Sequence, residues 1–354
     1  MVFVFQFLIF LFKMFSFKNK IFLIAEAGVN HNGDIKLAQK LIDAAKKCGA
    51  DAVKFQTFTA QKLVSAKAKK AGYQNKTTSK KESQLLMLKK LELDEREHRL
   101  LVDYCGKQEI IFMSTPFDEE SADLLERLGM KIYKIPSGEI TNFPLLTHIA
   151  RKKKPVILST GMSTLEEVKE AVEVIKASGN KALTVLHCVT EYPAPFDQIN
   201  LRAMITLKNA LQISVGFSDH TVGIDIPIAA AALGAQVIEK HLTLDRTLPG
   251  PDQKASLEPD EFKRMAEAIR RVEVALGDGK KIPAPCEKKY IPLVRKSVVA
   301  LEDIPAGGRL TRLNVALKRP GTGIQPKDFE KVLGLLVKKD IQAEETITWG
   351  DLKN

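Results

Sequence analysis

Two histidines, His220 in the run SVGFSDHTVG and His241 in QVIEKHLT, each follow another polar residue by two positions, Ser218 and Glu239, at the end of an apolar stretch. Two imidazoles on neighbouring strands can approach one cation and leave coordination positions for water and a substrate oxygen. No third nitrogen or sulfur donor is evident, so an octahedral Mn²⁺ or Mg²⁺ suits the pair better than tetrahedral zinc. Two lysines end comparable stretches, Lys54 in DAVKFQTF and Lys134 in KIYKIPSG. Such a lysine either forms a Schiff base or holds phosphate as a point charge. The hydroxyls at similar positions, Ser114, Thr115, Ser137, Ser159, Thr160, Thr190 and Ser218, favour phosphate. Glu26, Gln56, Glu139, His187 and Glu239 complete the polar set. Cys188 neighbours His187, and adjacent strand residues face opposite ways, which argues against a Cys/His nucleophilic pair and makes Cys188 a packing residue.

These residues share one kind of position. From Ile21 onward, short β-rich runs alternate with amphipathic stretches, the pattern of parallel strands joined by crossover helices. Eight such runs begin near residues 21, 51, 109, 131, 154, 183, 212 and 236. Eight parallel strands predict a closed (β/α)8 TIM barrel over residues 21–276, an α/β fold whose active site lies at the C-terminal strand ends. The stretch IKLAQKLIDAAKKCG carries an apolar face and ends at Gly49, and TLEEVKEAVEVIKASG opens on a Ser163/Thr164 cap, so both read as outer helices. The interval between Gln56 and Ile110 is oversized, and its basic part, roughly 59–81, is expected to form a lid over the mouth. Residues 277–294 form a Gly/Pro/Lys linker, and 295–354, with short β runs and tight turns, a small second domain.

Composition narrows the class. With 45% hydrophobic and 27% charged residues, the 354-residue chain is of ordinary globular type. Its net charge of +11 comes from scattered lysines without interleaved aromatics, which argues against nucleic-acid binding and suits a locally positive pocket for an anionic substrate. Four cysteines without CxxC spacing predict a reducing, cytoplasmic setting. The opening run MVFVFQFLIFLFK is too short to span a bilayer and has neither a basic lead nor a small-residue cleavage site. Residues 1–20 are therefore expected to be an extension outside the fold, with a working start at Met14 and no stable membrane association.

The ordered motifs AEAGVNHNGD, AVKFQT, STPFD, YKIPSGEITNFPLL, ILSTGMST, LHCVTEYPAP, GFSDHTVG, EKHLTLDRTLPGPDQKASLEP and KRPGTGI together resemble the sialic acid synthases. These enzymes condense phosphoenolpyruvate (PEP) with N-acetylmannosamine or a related acetamido sugar. The resemblance implies a barrel followed by an antifreeze-like SAF (β-clip) domain, and a domain-swapped homodimer whose partner SAF domain covers the sugar. It implies that His220 and His241 bind Mn²⁺, that Lys54, Thr115, Lys134, Ser137, Ser159, Thr190 and Ser218 hold PEP, and that Glu26, Gln56, Tyr192, Asp252 and Arg319 face the sugar. Thr190 replaces an asparagine common in the family. Glu26 or Glu139 would act as general base toward water.

The expected activity is N-acetylneuraminate synthase. The alternative is N,N'-diacetyllegionaminate synthase, which uses 2,4-diacetamido-2,4,6-trideoxymannose. A Schiff-base aldolase acting through Lys54 or Lys134, or a non-catalytic ice- or glycan-binding protein, stands further off. The metal reading fails if His220 lies more than about 10 Å from His241.

Overall fold

The computed structural model describes residues 20–79 and 82–353, so all but the last residue of the apolar extension at 1–20 falls outside the described residues. The chain divides into two compact units, the first running through Gly277 and the second from Asp278.

The first unit is the expected barrel. Its strands are β1 (Phe22–Gly28), β2 (Ala52–Thr57), β3 (Ile111–Pro116), β4 (Tyr133–Ile135), β5 (Val156–Ser159), β6 (Leu183–Cys188), β7 (Ser214–Asp219) and β8 (Val237–His241). They form one eight-stranded sheet in the order β3-β2-β1-β8-β7-β6-β5-β4, and β4 packs along β3 to close it. Its strands pair in parallel, and the register sets Glu26 beside both Lys54 and His241, Gln56 beside Thr115, and Ser218 beside Glu239.

Side chains alternate across each strand, so the barrel has two cores. Leu23, Val53, Phe55, Tyr133, Val185, Phe217 and Ile238 face outward against the helices. Phe22, Ile24, Ala52, Met113, Ile132, Ile157, Leu186 and Val237 fill the interior. Two residues further along each of these strands the interior turns polar, except for Cys188 on β6, and the functional site begins there.

The first of the outer helices, α1 (Ile35–Lys47), is capped by Asp34, whose side chain accepts from Lys36 and Leu37 N–H groups. The β2 connection carries three short helices, α2 (Ala60–Leu63), α3 (Gly72–Thr77) and α4 (Gln84–Lys89). The remaining outer helices are α5 (Glu95–Lys107), α6 (Glu119–Arg127), α7 (Phe143–Arg151), α8 (Leu165–Ala177), α9 (Arg202–Leu211), α10 (Asp225–Ala232) and α11 (Pro259–Leu276). Helix α8 starts on a Thr164/Glu167 capping box.

Helices α2 and α3 fall within the segment expected to form a lid, and α4 extends it; residues from all three stretches line the cavity mouth. Phe58, Ala60, Met87, Leu88 and Leu91 pack with Val29 as a separate apolar cluster. Lys62 pairs with Glu120 at 2.7 Å, and Thr77 Oγ1 donates to the Pro251 carbonyl at 3.4 Å. Gly33 has φ +75°, and a Cβ there would lie 2.4 Å from the Lys90 carbonyl; glycine alone permits that approach between the β1 loop and the lid.

In the second unit, β9 (Ser297–Ala300) pairs antiparallel with β10 (Val315–Lys318) around Val298, Ile304, Leu310, Val315 and Ile347. The expected linker ends in a short helix, α12 (Ile291–Val294), and Gly321 N donates to the Pro292 carbonyl at 2.7 Å, so the linker's last turn packs with the second unit.

Outside the barrel's polar interior, Lys240 and Asp219 form a fully buried ion pair at 2.5 Å, and Asp219 also accepts from Thr221 N and Oγ1. Removing one partner strands the other charge. Lys240→Met is therefore expected to destabilise the barrel by about 3–5 kcal/mol, seen as a lower urea midpoint, with partial recovery in the double variant Lys240→Met/Asp219→Asn.

Candidate active site

The polar ends of the strands line one cavity of about 310 Å³ at the barrel mouth. Lys54 and Lys134 lie within it and are almost fully buried, as are Glu26 and Glu239. Lys54 Nζ stands 2.7 Å from Glu26 and 3.6 Å from Glu239, while Lys134 Nζ is 3.7 Å from Glu239. Glu239 thus bridges two ammonium groups. Hydroxyls complete the arrangement: Lys54 donates to Thr115 Oγ1 at 3.0 Å, Lys134 to Ser159 Oγ at 2.7 Å, and Ser218 Oγ to Glu239 at 2.9 Å.

The two carboxylates differ in state. Burial pushes Glu26 up to about 7, although Lys54 opposes the shift. Burial also acts on Glu239, but Lys134 and Lys54 outweigh it and hold its carboxyl below the usual range. One acid can carry a proton near neutrality while the other stays ionised, the division that acid–base chemistry requires. Burial alone would lower Lys54, but Glu239 and Glu26 keep it high; Lys134, with less compensation, is lowered by burial.

His220 and His241 share this cavity, with ring centroids 5.4 Å apart and an interplanar angle of 64°, well inside the separation one cation demands. His220 Nδ1 lies 2.7 Å from the Val189 carbonyl, the bond that fixes an imidazole tautomer and frees the other nitrogen for a ligand. His241 Nδ1 is buried without a hydrogen-bond partner, and burial followed by the positive field of His220 and Lys54 pushes this ring well below its ordinary value. A neutral imidazole with an unmatched nitrogen is a cation ligand in waiting. Among the described residues no group of three or more His, Cys, Asp or Glu could hold a metal ion; the two rings could supply two nitrogen donors to a cation. Tyr192 lies against them, 4.0 Å from His220 and 5.6 Å from His241 by ring centroid.

Gln56 and Asp252 also line the cavity; Gln56 Nε2 donates to Glu26 Oε1 at 3.4 Å, and burial raises Asp252 to about 6. Ser137 and Thr190 line it from the β4 and β6 loops. Glu139 does not; its carboxylate accepts from Asn142 Nδ2 at 2.7 Å in the turn after β4. Arg319 belongs to the second unit and directly precedes Pro320.

Alternation separates residues that are adjacent in sequence. Ser114 turns outward to Thr57 Oγ1 at 2.7 Å, and Thr160 to the Leu186 carbonyl at 3.0 Å. His187 meets the Ile199 carbonyl at 2.7 Å, and Cys188, expected to serve only packing, lines the cavity instead, 3.9 Å from His220 Nδ1. Gly161 is a position that sequence reasoning passed over. Its N–H donates to Ser137 Oγ at 2.8 Å, and a Cβ there would lie 2.1 Å from Thr190 Oγ1, a buried hydroxyl without a partner. Its one sequence signal is its place after the β5 strand end in STGMST.

This constellation can be set beside known proteins. The family model described as NeuB family matches residues 41–281. The chain belongs to the NeuB family. A SAF domain follows at residues 295–353. The chain is 54% identical over 330 residues to the N,N'-diacetyllegionaminic acid synthase of Campylobacter jejuni, spanning 93% of this chain and 99% of that one. It is 48% identical over 332 residues to the synthase of the same name from Legionella pneumophila, spanning 93% of each. Among solved structures it resembles the N-acetylneuraminic acid synthetase of Leptospira borgpetersenii, with a TM-score of 0.70 and 37% identity, covering 77% of this chain and 90% of that one. Among the described residues, no helix of this NeuB family chain is long and apolar enough to cross a membrane.

The Gly161 cradle yields a direct test. Gly161→Ala places a methyl where the Thr190 and Ser137 hydroxyls converge. Losing a hydrogen bond to an anion costs about 1.5–3 kcal/mol, so an anion seated on these hydroxyls is expected to bind about tenfold more weakly or worse in titration calorimetry, with a thermal midpoint near that of the unaltered protein.

Proposed function

We propose that this chain condenses phosphoenolpyruvate with 2,4-diacetamido-2,4,6-trideoxymannose and water, yielding N,N'-diacetyllegionaminic acid and phosphate. The observation that carries the reaction is the shared cavity, in which paired imidazoles adjoin two buried lysines ringed by hydroxyls. The choice of sugar follows the near-full-length likeness to two synthases of that name. N-acetylmannosamine, the acceptor expected from the motifs, becomes the competing substrate.

In this reading Lys54 and Lys134, with Thr115, Ser137, Ser159, Thr190 and Ser218, hold the phosphate and carboxylate of PEP, charge-assisted contacts that persist as phosphate departs. The methylene carbon of PEP attacks the aldehyde carbon of the sugar and forms the new C–C bond. A divalent cation held by His220 and His241, Mn²⁺ by preference and Mg²⁺ as the other candidate, would polarise the aldehyde as a Lewis acid. Water adds to the cationic C2 centre, Glu26 takes its proton, and the tetrahedral adduct expels phosphate to leave the 2-keto acid. Glu139, held by Asn142, is the weaker candidate for base. Gln56, Tyr192 and Asp252 orient the sugar. Arg319 joins them by family likeness, with exchange of second domains in a homodimer as its route.

Phosphate release from PEP tests the reading. It is expected with the diacetamido sugar at a kcat/KM about tenfold or more above that with N-acetylmannosamine, to cease with EDTA, and to return with Mn²⁺. His220→Ala and His241→Ala should abolish it. A preference for N-acetylmannosamine would make the chain an N-acetylneuraminate synthase. Substrate-dependent borohydride trapping at Lys54 or Lys134, insensitive to EDTA, would make it an aldolase.

The base must be ionised to accept a proton, so kcat/KM should climb as pH rises through about 7, the value to which burial pushes Glu26. Glu26→Gln is expected to remove that limb and lower kcat by about 10²-fold or more.

A further inference from the structure

The cavity has two unlike sides. Strand ends supply ammonium, imidazole, carboxylate and hydroxyl groups; the lid supplies Leu63 and Val64 at the end of α2, Met87 and Leu88 in α4, and Leu91 beyond it. The other described lid residues that line the cavity are two uncharged amides, Gln74 and Gln84. This apolarity is not a consequence of composition, because the insertion is rich in lysine. Three of its described lysines are turned elsewhere: Lys62 to Glu120 at 2.7 Å, Lys70 to the Ser79 carbonyl at 2.6 Å, and Lys90 to Glu82 at 2.6 Å. Met87 and Leu88 are held in place by packing with Phe58 and Ala60.

An apolar wall discriminates by chemistry. It gains from covering a methyl group and leaves a hydroxyl without a partner, which is unfavourable. The two candidate acceptors differ in these terms. N-acetylmannosamine carries hydroxyls at C4 and C6, whereas 2,4-diacetamido-2,4,6-trideoxymannose carries an acetamido methyl at C4 and a bare methyl at C6.

We propose that Leu63, Val64, Met87 and Leu88 form the acceptor-specificity wall of this enzyme, covering the C4 acetamido methyl and the C6 methyl of the sugar and excluding hydroxyls there. The proposal rests on the synthase reading of the same cavity and adds to it the element that selects the sugar. One methyl in an apolar pocket is worth about tenfold to 200-fold in kcat/KM, enough to separate the two acceptors.

The test uses the full chain with Mn²⁺, saturating PEP and four acceptors: N-acetylmannosamine, its 6-deoxy analogue, its 4-acetamido-4-deoxy analogue, and the diacetamido-trideoxy sugar. Phosphate release is expected to rise in kcat/KM by about tenfold or more with each replaced hydroxyl. Val64→Thr adds a hydroxyl to the wall with almost no change in shape, and Met87→Ala opens it. Each should lower the ratio of trideoxy sugar to N-acetylmannosamine by about tenfold, with little change in the KM for PEP. Equal kcat/KM for all four acceptors overturns the wall and leaves the synthase standing. So does an equal loss for every acceptor in both variants, since that is what a purely structural role produces. Phosphate release with none of the four overturns the synthase reading and the wall together.

Discussion

Two ammonium groups cannot be buried at one level of a barrel unless counter-charge is buried with them. Lys54 and Lys134 meet that condition through Glu26, which the register sets beside Lys54, and Glu239, which lies opposite Ile24 and Ser218 and reaches both lysines. The rest of the site depends on this balance. It keeps the lysines available to an anion, it splits the two carboxylates into one that holds a proton near neutrality and one that does not, and it brings His220 and His241 to the edge of the same charge cluster.

The barrel and the heights of its polar residues were legible because they follow from two periodicities, eight β runs between helical runs and an interior that alternates every second residue. The facing of each strand was less legible. Strands of a parallel barrel are buried on both sides, so apolarity does not reveal which of two adjacent residues looks inward. Ser114 and Thr115 look equivalent in sequence, and so do His187 and Cys188, yet Thr115 and Cys188 face the cavity. For the lysines and the histidine pair the chemistry itself supplied the phase, since a buried charge has few places to go.

Three features lay beyond one-dimensional reading. Gly161 matters through a close approach of segments distant in sequence, which no local pattern encodes. The lid's composition is basic while its inner face is apolar, because described lysines such as Lys62 and Lys70 find partners away from the cavity. The turn carrying Glu139 is short, and Asn142 captures the carboxylate before it reaches the cavity. The proposed choice of sugar was likewise illegible in the catalytic motifs: the two candidate acceptors differ by a few small groups, and the proposal rests on the near-full-length relatives.

The packed interior beneath the charges, from Phe22 and Ile24 round to Val237, makes the barrel a shaft with one opening. Traffic in such a shaft is a queue. With PEP on the strand-end lysines and the sugar against the lid, as proposed, the compound loaded second would block the exit of the first. On that reading the liberated inorganic ion would leave only once the nine-carbon keto acid has moved, and the sealed bottom would couple the timing of departure to that of arrival.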